Sequence, residues 1–253
     1  SQPTPNDGET VFYNGRIYTV NETQPWAEAI YVVDGVIKFV GGDEEARGMA
    51  TEAAVEVDLE GSFVMPGIHD VHLHPLEAVT DNFQFTVADD VEDPEDYADD
   101  IATASRDNPG TDWLLGWGHL ITTPLEATRS PKEIIDDVAR NMLFNLALAP
   151  TPERRQREYD GLVNSALPQL AENGITSVCD ARTYWKRNHH EVWQQVADED
   201  KLTVRAVLGL WAYPSGDDTE QIAMLKSLYT NDRNSLLRIN QIKLYSDGIV
   251  HNT

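Results

Sequence analysis

The stretch "FVMPGIHDVHLHP", Phe63 to Pro75, decides the reading of this chain. An apolar run ends in Pro66-Gly67. A second strand-like run then carries His72 and His74 one residue apart before Pro75 stops it. Residues i and i+2 of a strand face the same side, so Asp70, His72 and His74 share a face. Two imidazoles aimed at one point suit a metal, since zinc takes histidine nitrogen at about 2.0–2.1 Å. The plain alternative is a histidine pair on an exposed edge strand. The preceding Pro-Gly and the apolar strand favour the end of a central parallel strand, where barrel chemistry sits.

Upstream, residues 9–65 read as short strands. "TVFYNGRIYTV" places Asn14-Gly15 between two β-rich arms, and "AIYVVDGVIKFVGG" places Asp34-Gly35 likewise. Both dipeptides tolerate the positive φ of tight hairpin turns, so two hairpins are expected. A third strand pair is expected from "AAVEVDLEG" and "SFVMPG". This β-module, residues 1–65, is small for independent stability.

Downstream, residues 66–253 alternate strand and helix, which implies a parallel sheet or a (β/α) barrel. Expected strands are 68–74, 112–117, 175–180, 203–210 and 239–245. Helices are expected over 94–105, from Ser130 with Pro131 and Glu133 in its first turn, and over 151–173. The last has Thr151 as N-cap, Pro152 after it, and Tyr159, Leu162, Val163, Ala166, Leu167 and Leu170 on one face. Gly174 supplies its stop. The run around Arg140 lacks a turn signal. It reads as one continuous helix ending at Pro150, or as a join across absent residues.

Asp and Glu number 43 against 19 Lys and Arg, a formal net charge of −24. That field disfavours nucleic acid and anionic membranes as partners and suggests adaptation to high salt, where self-repulsion is screened. Cys179 is the sole cysteine, so no intrachain disulfide forms. No run approaches the roughly 18 apolar residues of a membrane span. The segment "SQPTPNDGET" lacks signal-peptide features, and a cytoplasmic location is the default expectation.

"GSFVMPGIHDVHLHP" closely resembles the metal-dependent amidohydrolase superfamily, whose members open the barrel with Pro-Gly and Asp-x-His-x-His. "WLLGWGHL" (113–120) and "INQIKLYSDGIV" (239–250) narrow the resemblance to the branch of N-substituted formamide deformylase and proteins labelled exoenzyme regulatory protein. It implies a TIM-type (β/α) barrel, incomplete here, joined to part of a β-sandwich. It also implies one or two divalent ions, zinc first, at the barrel mouth.

Within that resemblance His72 and His74 are metal ligands, Lys243 is a carboxylated metal-bridging lysine, and Asp70 supports the pair. The family places this lysine on the fourth barrel strand, whereas the strands counted above make it the fifth. Physically, Lys243 in an apolar strand is costly as a buried ammonium. Burial favours the neutral amine that captures carbon dioxide. A strand-end lysine reaching water is the alternative.

The implied reaction is hydrolysis of an amide-type C–N bond of a small molecule by metal-activated water. The alternative is a non-catalytic or regulatory relative, or an inactive fragment. The catalytic aspartate and two further histidine ligands are expected on strands beyond Thr253, so the sequence is expected to be part of a longer protein; a homo-oligomer is among the expected partners.

His119 and Trp117 are candidates to line a substrate pocket. His69 is expected to pack on the opposite face. Cys179 is expected as a small buried residue, and His189 and His190 as surface residues. His251 is placed near the barrel mouth or in a loose end. No Gly-x-Ser-x-Gly elbow occurs, which disfavours serine hydrolysis.

Overall fold

A computed structural model describes residues 8–80, 85–86, 97–110, 114–117, 148–213 and 216–244. The helix expected from Ser130, the join near Arg140, His119 and His251 lie outside the described residues. Two compact units divide the chain, Ser1–Gly67 and Ile68–Thr253.

In the first unit a four-stranded sheet runs in the order β5-β4-β1-β6. Its strands are β1 (Glu9–Tyr13), β4 (Ala29–Val33), β5 (Val36–Gly41) and β6 (Val55–Asp58). A three-stranded sheet has the order β3-β2-β7, from β2 (Arg16–Tyr18), β3 (Trp26–Ala27) and β7 (Phe63–Val64). Val11, Ala29 and Tyr31 pack with Ala46 of helix α1 (Asp43–Met49).

The β4–β5 hairpin forms as expected, with Asp34 at φ 50° and Gly35 at φ 72°. The other two pairings do not form. β1 pairs antiparallel with β4 and parallel with β6, while β2 belongs to the second sheet. Asn14 instead turns the chain from one sheet to the other. Its N–H donates to Asp43 Oδ1 (2.9 Å) and its amide to Asp58 Oδ1 (2.7 Å). Gly15 is closely packed there: a Cβ would stand 2.5 Å from Leu59 Cδ1 and 3.3 Å from the Glu28 carbonyl oxygen. β6 and β7 likewise part, β6 pairing with β1 and β7 with β2.

The second unit is built on a parallel four-stranded sheet of order β13-β12-β11-β8. Its strands are β8 (Ile68–Leu73), β11 (Ile175–Thr183), β12 (Arg205–Trp211) and β13 (Leu237–Lys243). Each strand neighbours the next of these in sequence, and the sheet is open among the described residues. The second expected strand is not part of it. Gly116–Trp117 (β10) pairs instead with Phe85–Thr86 (β9) in a separate two-stranded sheet. Lys243 therefore stands on the fourth strand of the parallel sheet, which corrects the count of five.

One face of this sheet is covered by helices. Helix α2 (Pro75–Val79) follows β8 directly, and α3 (Tyr97–Asp107) lies further along the chain. The segment expected as one helix over 151–173 runs as α4 (Pro152–Gly161), a π turn (Leu162–Ala166) and α5 (Leu167–Glu172). Thr151 caps it by accepting the Arg154 N–H at 3.2 Å. Pro168 lacks an N–H and its ring crowds the carbonyl four residues back, which accounts for the widened turn before it. Gly174, at φ 69°, ends the segment. Leu162, Leu167 and Leu170 pack with Val178, Leu208 and Ile239 of the sheet. They also meet Val192, Trp193 and Val196 of α6 (His189–Asp198). Helix α7 (Asp218–Leu228) adds Leu225.

Candidate active site at the strand ends

Leu73 packs against the helix-covered core, which turns its neighbours His72 and His74 to the opposite face of the sheet. Their rings stand 5.2 Å apart with planes at 62°. The Asp70 carboxylate accepts the His72 backbone N–H at 3.0 Å and so stiffens the backbone between them. The register of β8 slips against β11 between Asp70 and Leu73, so the simple alternation that joined Asp70 to the histidine face is broken there. His69 is exposed and pairs in register with Ser177.

Among the described residues His74 Nδ1 is buried without a hydrogen-bond partner. Burial, with the nearby charges of Arg182, His72 and Lys243, pushes the His74 pKa down to about 4. The imidazole is therefore neutral at physiological pH, the form that ligates metals. Lys243 ends β13, three strand positions from β8, about 14 Å on a flat sheet. Its charge nevertheless acts on His74. Among the described residues no group of three or more His, Cys, Asp or Glu side chains comes together to hold a metal. What the fold brings toward one end is two histidines and a lysine.

Cys179 faces this same side. It is half-buried rather than buried, and its thiol donates to Gln241 Oε1 at 3.0 Å. Burial raises its pKa, the Asp180 charge adds to that, and Lys243 opposes it. The backbone of Trp117 lies in β10, apart from the parallel sheet.

Three groups at the strand ends escaped the sequence reading: Glu77 in the first turn of α2, Arg182 near the end of β11, and Arg187 in the 3₁₀ turn Trp185–Arg187. Arg182 Nη1 donates to Glu77 Oε2 at 3.3 Å, and Arg187 Nη1 stands 3.8 Å from Glu77 Oε1. Burial raises the Glu77 pKa while both guanidiniums pull it back. Arg187 also lies over the Tyr184 ring, 3.9 Å from its centroid. The sequence signal was "DARTYWKRN", two arginines following the end of an apolar strand.

His189 and His190 are not surface residues: they are 3% and 7% exposed. His189 Nε2 stands 3.7 Å from Glu158 Oε1, and its ring meets Tyr184 edge to face. Their signal was helical spacing. His189, Val192, Trp193 and Val196 form one buried stripe of α6.

Residues 55–149 match the model of the Amidohydrolase family, a span that contains the Asp-x-His-x-His strand. Over that segment the chain is similar to the amidohydrolase superfamily. "Exoenzymes regulatory protein AepA" of Pectobacterium carotovorum subsp. carotovorum is 26% identical over 296 aligned positions, covering 95% of this chain and 64% of that protein. The N-substituted formamide deformylase of Arthrobacter pascens is 26% identical over 66% of this chain and 30% of that one. Among solved structures, an uncharacterized metal-dependent hydrolase from Pyrococcus furiosus shares the fold. Its TM-score is 0.62 at 18% identity, covering 96% of this chain and 57% of that one. The chain spans less than two thirds of the length of AepA and of the Pyrococcus structure.

Proposed function

We propose that the protein is a metal-dependent hydrolase of an amide-type C–N bond in a small molecule, its open sheet being the first half of a (β/α) barrel. The observation that carries this reading is the His72–His74 pair at the end of β8, on the face turned from the helices. His74 fits a metal well: its ring is neutral and its buried Nδ1 has no hydrogen-bond partner among the described residues. His72 and His74 would hold a divalent ion, zinc being the first candidate for histidine nitrogen. Lys243 would join them after its neutral amine adds to carbon dioxide, giving a carbamate and releasing one proton.

A divalent ion bound there supplies Lewis-acid polarisation of the scissile carbonyl and activates water for attack on it. The chain's own part is positional. The Asp70 carboxylate stiffens the strand that carries the pair. The Arg182 charge acts on His74, and Trp117 and His119 are proposed to line the substrate pocket. A salt-rich cytoplasm is the setting the acidic composition suits.

Metal analysis of the full-length protein tests this, together with assays on amides, formamides and lactones. Stoichiometric zinc, iron, manganese or nickel with hydrolysis of at least one class supports it. Absence of all four metals, or metal content unchanged in His72→Ala, sinks it. The similarity to AepA over 95% of the chain favours one second reading, a regulatory relative without catalysis. Metal retention with no hydrolysis across the panel would select that reading.

A further inference from the structure

Helix α2 has five residues, well short of the length at which a helix holds itself together in water, so its position is set by what grips it. Two neighbouring side chains do this. Leu76 is buried in the helix-covered core, and Glu77, the next residue, faces two guanidiniums. Arg182 Nη1 on β11 donates to Glu77 Oε2 at 3.3 Å, and Arg187 Nη1 in the 3₁₀ turn stands 3.8 Å from Glu77 Oε1. Successive helical residues point about 100° apart, so the apolar anchor sets the depth of α2 and the ionic one its rotation.

That rotation reaches His74 through the chain itself. His74 immediately precedes α2, and its carbonyl accepts the Ala78 N–H at 3.0 Å. Pro75 has a fixed φ and narrows the backbone choices of the residue before it. His74 stands at φ −130° and ψ 64°, where the strand bends into the helix. With β8 held in the sheet on one side and α2 gripped on the other, the point from which the imidazole departs is set from both ends. Arg187 is 5% exposed, so losing the Glu77 charge would leave a buried guanidinium poorly compensated and draw this helix end toward water.

We infer that Glu77 is a positioning residue for the candidate metal site. By tying the first turn of α2 to β11 and the 3₁₀ turn, it holds His74 where its imidazole can share an ion with His72. This rests on the metal-dependent reading for its consequence, and on the Glu77 contacts alone for its cause.

Cobalt(II) titration of the full-length protein, followed by its visible absorption, reads the consequence. Glu77→Gln keeps the size and removes the charge, and should weaken cobalt binding about tenfold or more, as loss of an outer support of a metal ligand does. Glu77→Asp, which keeps a carboxylate, should recover most of that affinity. Leu225→Ala, a core truncation on α7, controls for lost stability and should leave the affinity little changed. Unchanged affinity in Glu77→Gln, or equal weakening in Leu225→Ala, overturns the inference. Hydrogen exchange in the metal-free protein reads the cause: the Ala78 amide should exchange about tenfold faster in Glu77→Gln while the amides of β12 stay protected. Unchanged exchange at Ala78 overturns it as well. Should Glu77→Gln fail to fold by circular dichroism, Arg182→Gln, which keeps Arg187 beside Glu77, is put through both measurements; faster Ala78 exchange supports the inference and its absence overturns it. A wild type that takes up no cobalt would count against the metal-dependent reading, and the Ala78 exchange would then decide the role of Glu77.

Discussion

Trp193 donates its indole N–H to Asp180 Oδ2 at 3.0 Å, joining helix α6 to strand β11 inside the core. Asp180 is 2% exposed, and burial pushes its carboxyl up to about 7 although Trp193 and the Arg182 backbone N–H favour the charged form. The pair fixes the strand end from which Arg182 departs. Trp193→Phe removes this indole donor from the buried carboxylate and thins the core. A loss of about 1–3 kcal/mol is expected from chemical denaturation. A loss under about 0.5 kcal/mol would show that the bond carries no weight.

Asp180 and Glu158, both near 7, shape the pH dependence of stability. Their folded pKa values lie above the unfolded ones, so between about pH 4 and 7 the folded state binds more protons. Stability from these groups is greatest at low pH and falls as pH rises to about 7. His189 acts oppositely. Burial lowers it to about 3, so stability falls as pH drops below about 6.5. Asp180→Asn should therefore lessen the decline toward pH 7, and His189→Asn should lessen the decline toward pH 4. Urea denaturation across pH 4–8 reads both, and unaltered slopes refute the assignment.

Gly161 lets helix α2 sit directly on α4. A Cβ there would meet Val79 O at 2.8 Å and Val79 Cγ2 at 2.9 Å. The backbone of Gly161 is helical, at φ −61°, so alanine introduces no backbone strain, only the clash. Gly161→Ala should destabilise by about 1–3 kcal/mol despite the better helix propensity of alanine. It should also disturb the site, since α2 begins one residue after His74. An equally or more stable variant refutes the packing account.

His74→Ala should abolish stoichiometric metal, whereas His69→Ala should retain it, because the His72 and His74 rings meet each other while His69 pairs in register with Ser177, before the slip in β8. Elemental analysis of both variants beside the wild type distinguishes a built site from loose histidine binding. Equal losses in the two would refute the face assignment.

With a formal net charge of −24, like charges repel across the surface at low ionic strength. Raising salt from about 0.1 M to 1 M shortens the screening length from about 10 Å to 3 Å. The melting temperature should rise by several degrees over that range. A flat or falling trend would contradict salt adaptation.

The sequence by itself determined the local features. Thr151 and Gly174 bound a helical segment, Asp34-Gly35 turns a hairpin, and a Pro-Gly precedes a strand ending in two paired histidines. Each depends on sterics and hydrogen bonds among near neighbours, which the residue types state directly. Only the tertiary structure decided partners. Asn14-Gly15 has hairpin chemistry, yet Asp43 and Asp58 draw Asn14 into a crossing between sheets. Gly116–Trp117 reads as a strand of the main sheet but pairs elsewhere, and that alone puts Lys243 on the fourth strand. His189 and Arg182 acquire their settings from Glu158 and Glu77, residues 31 and 105 positions away. Such contacts follow from which surfaces bury one another, and no local pattern encodes that choice.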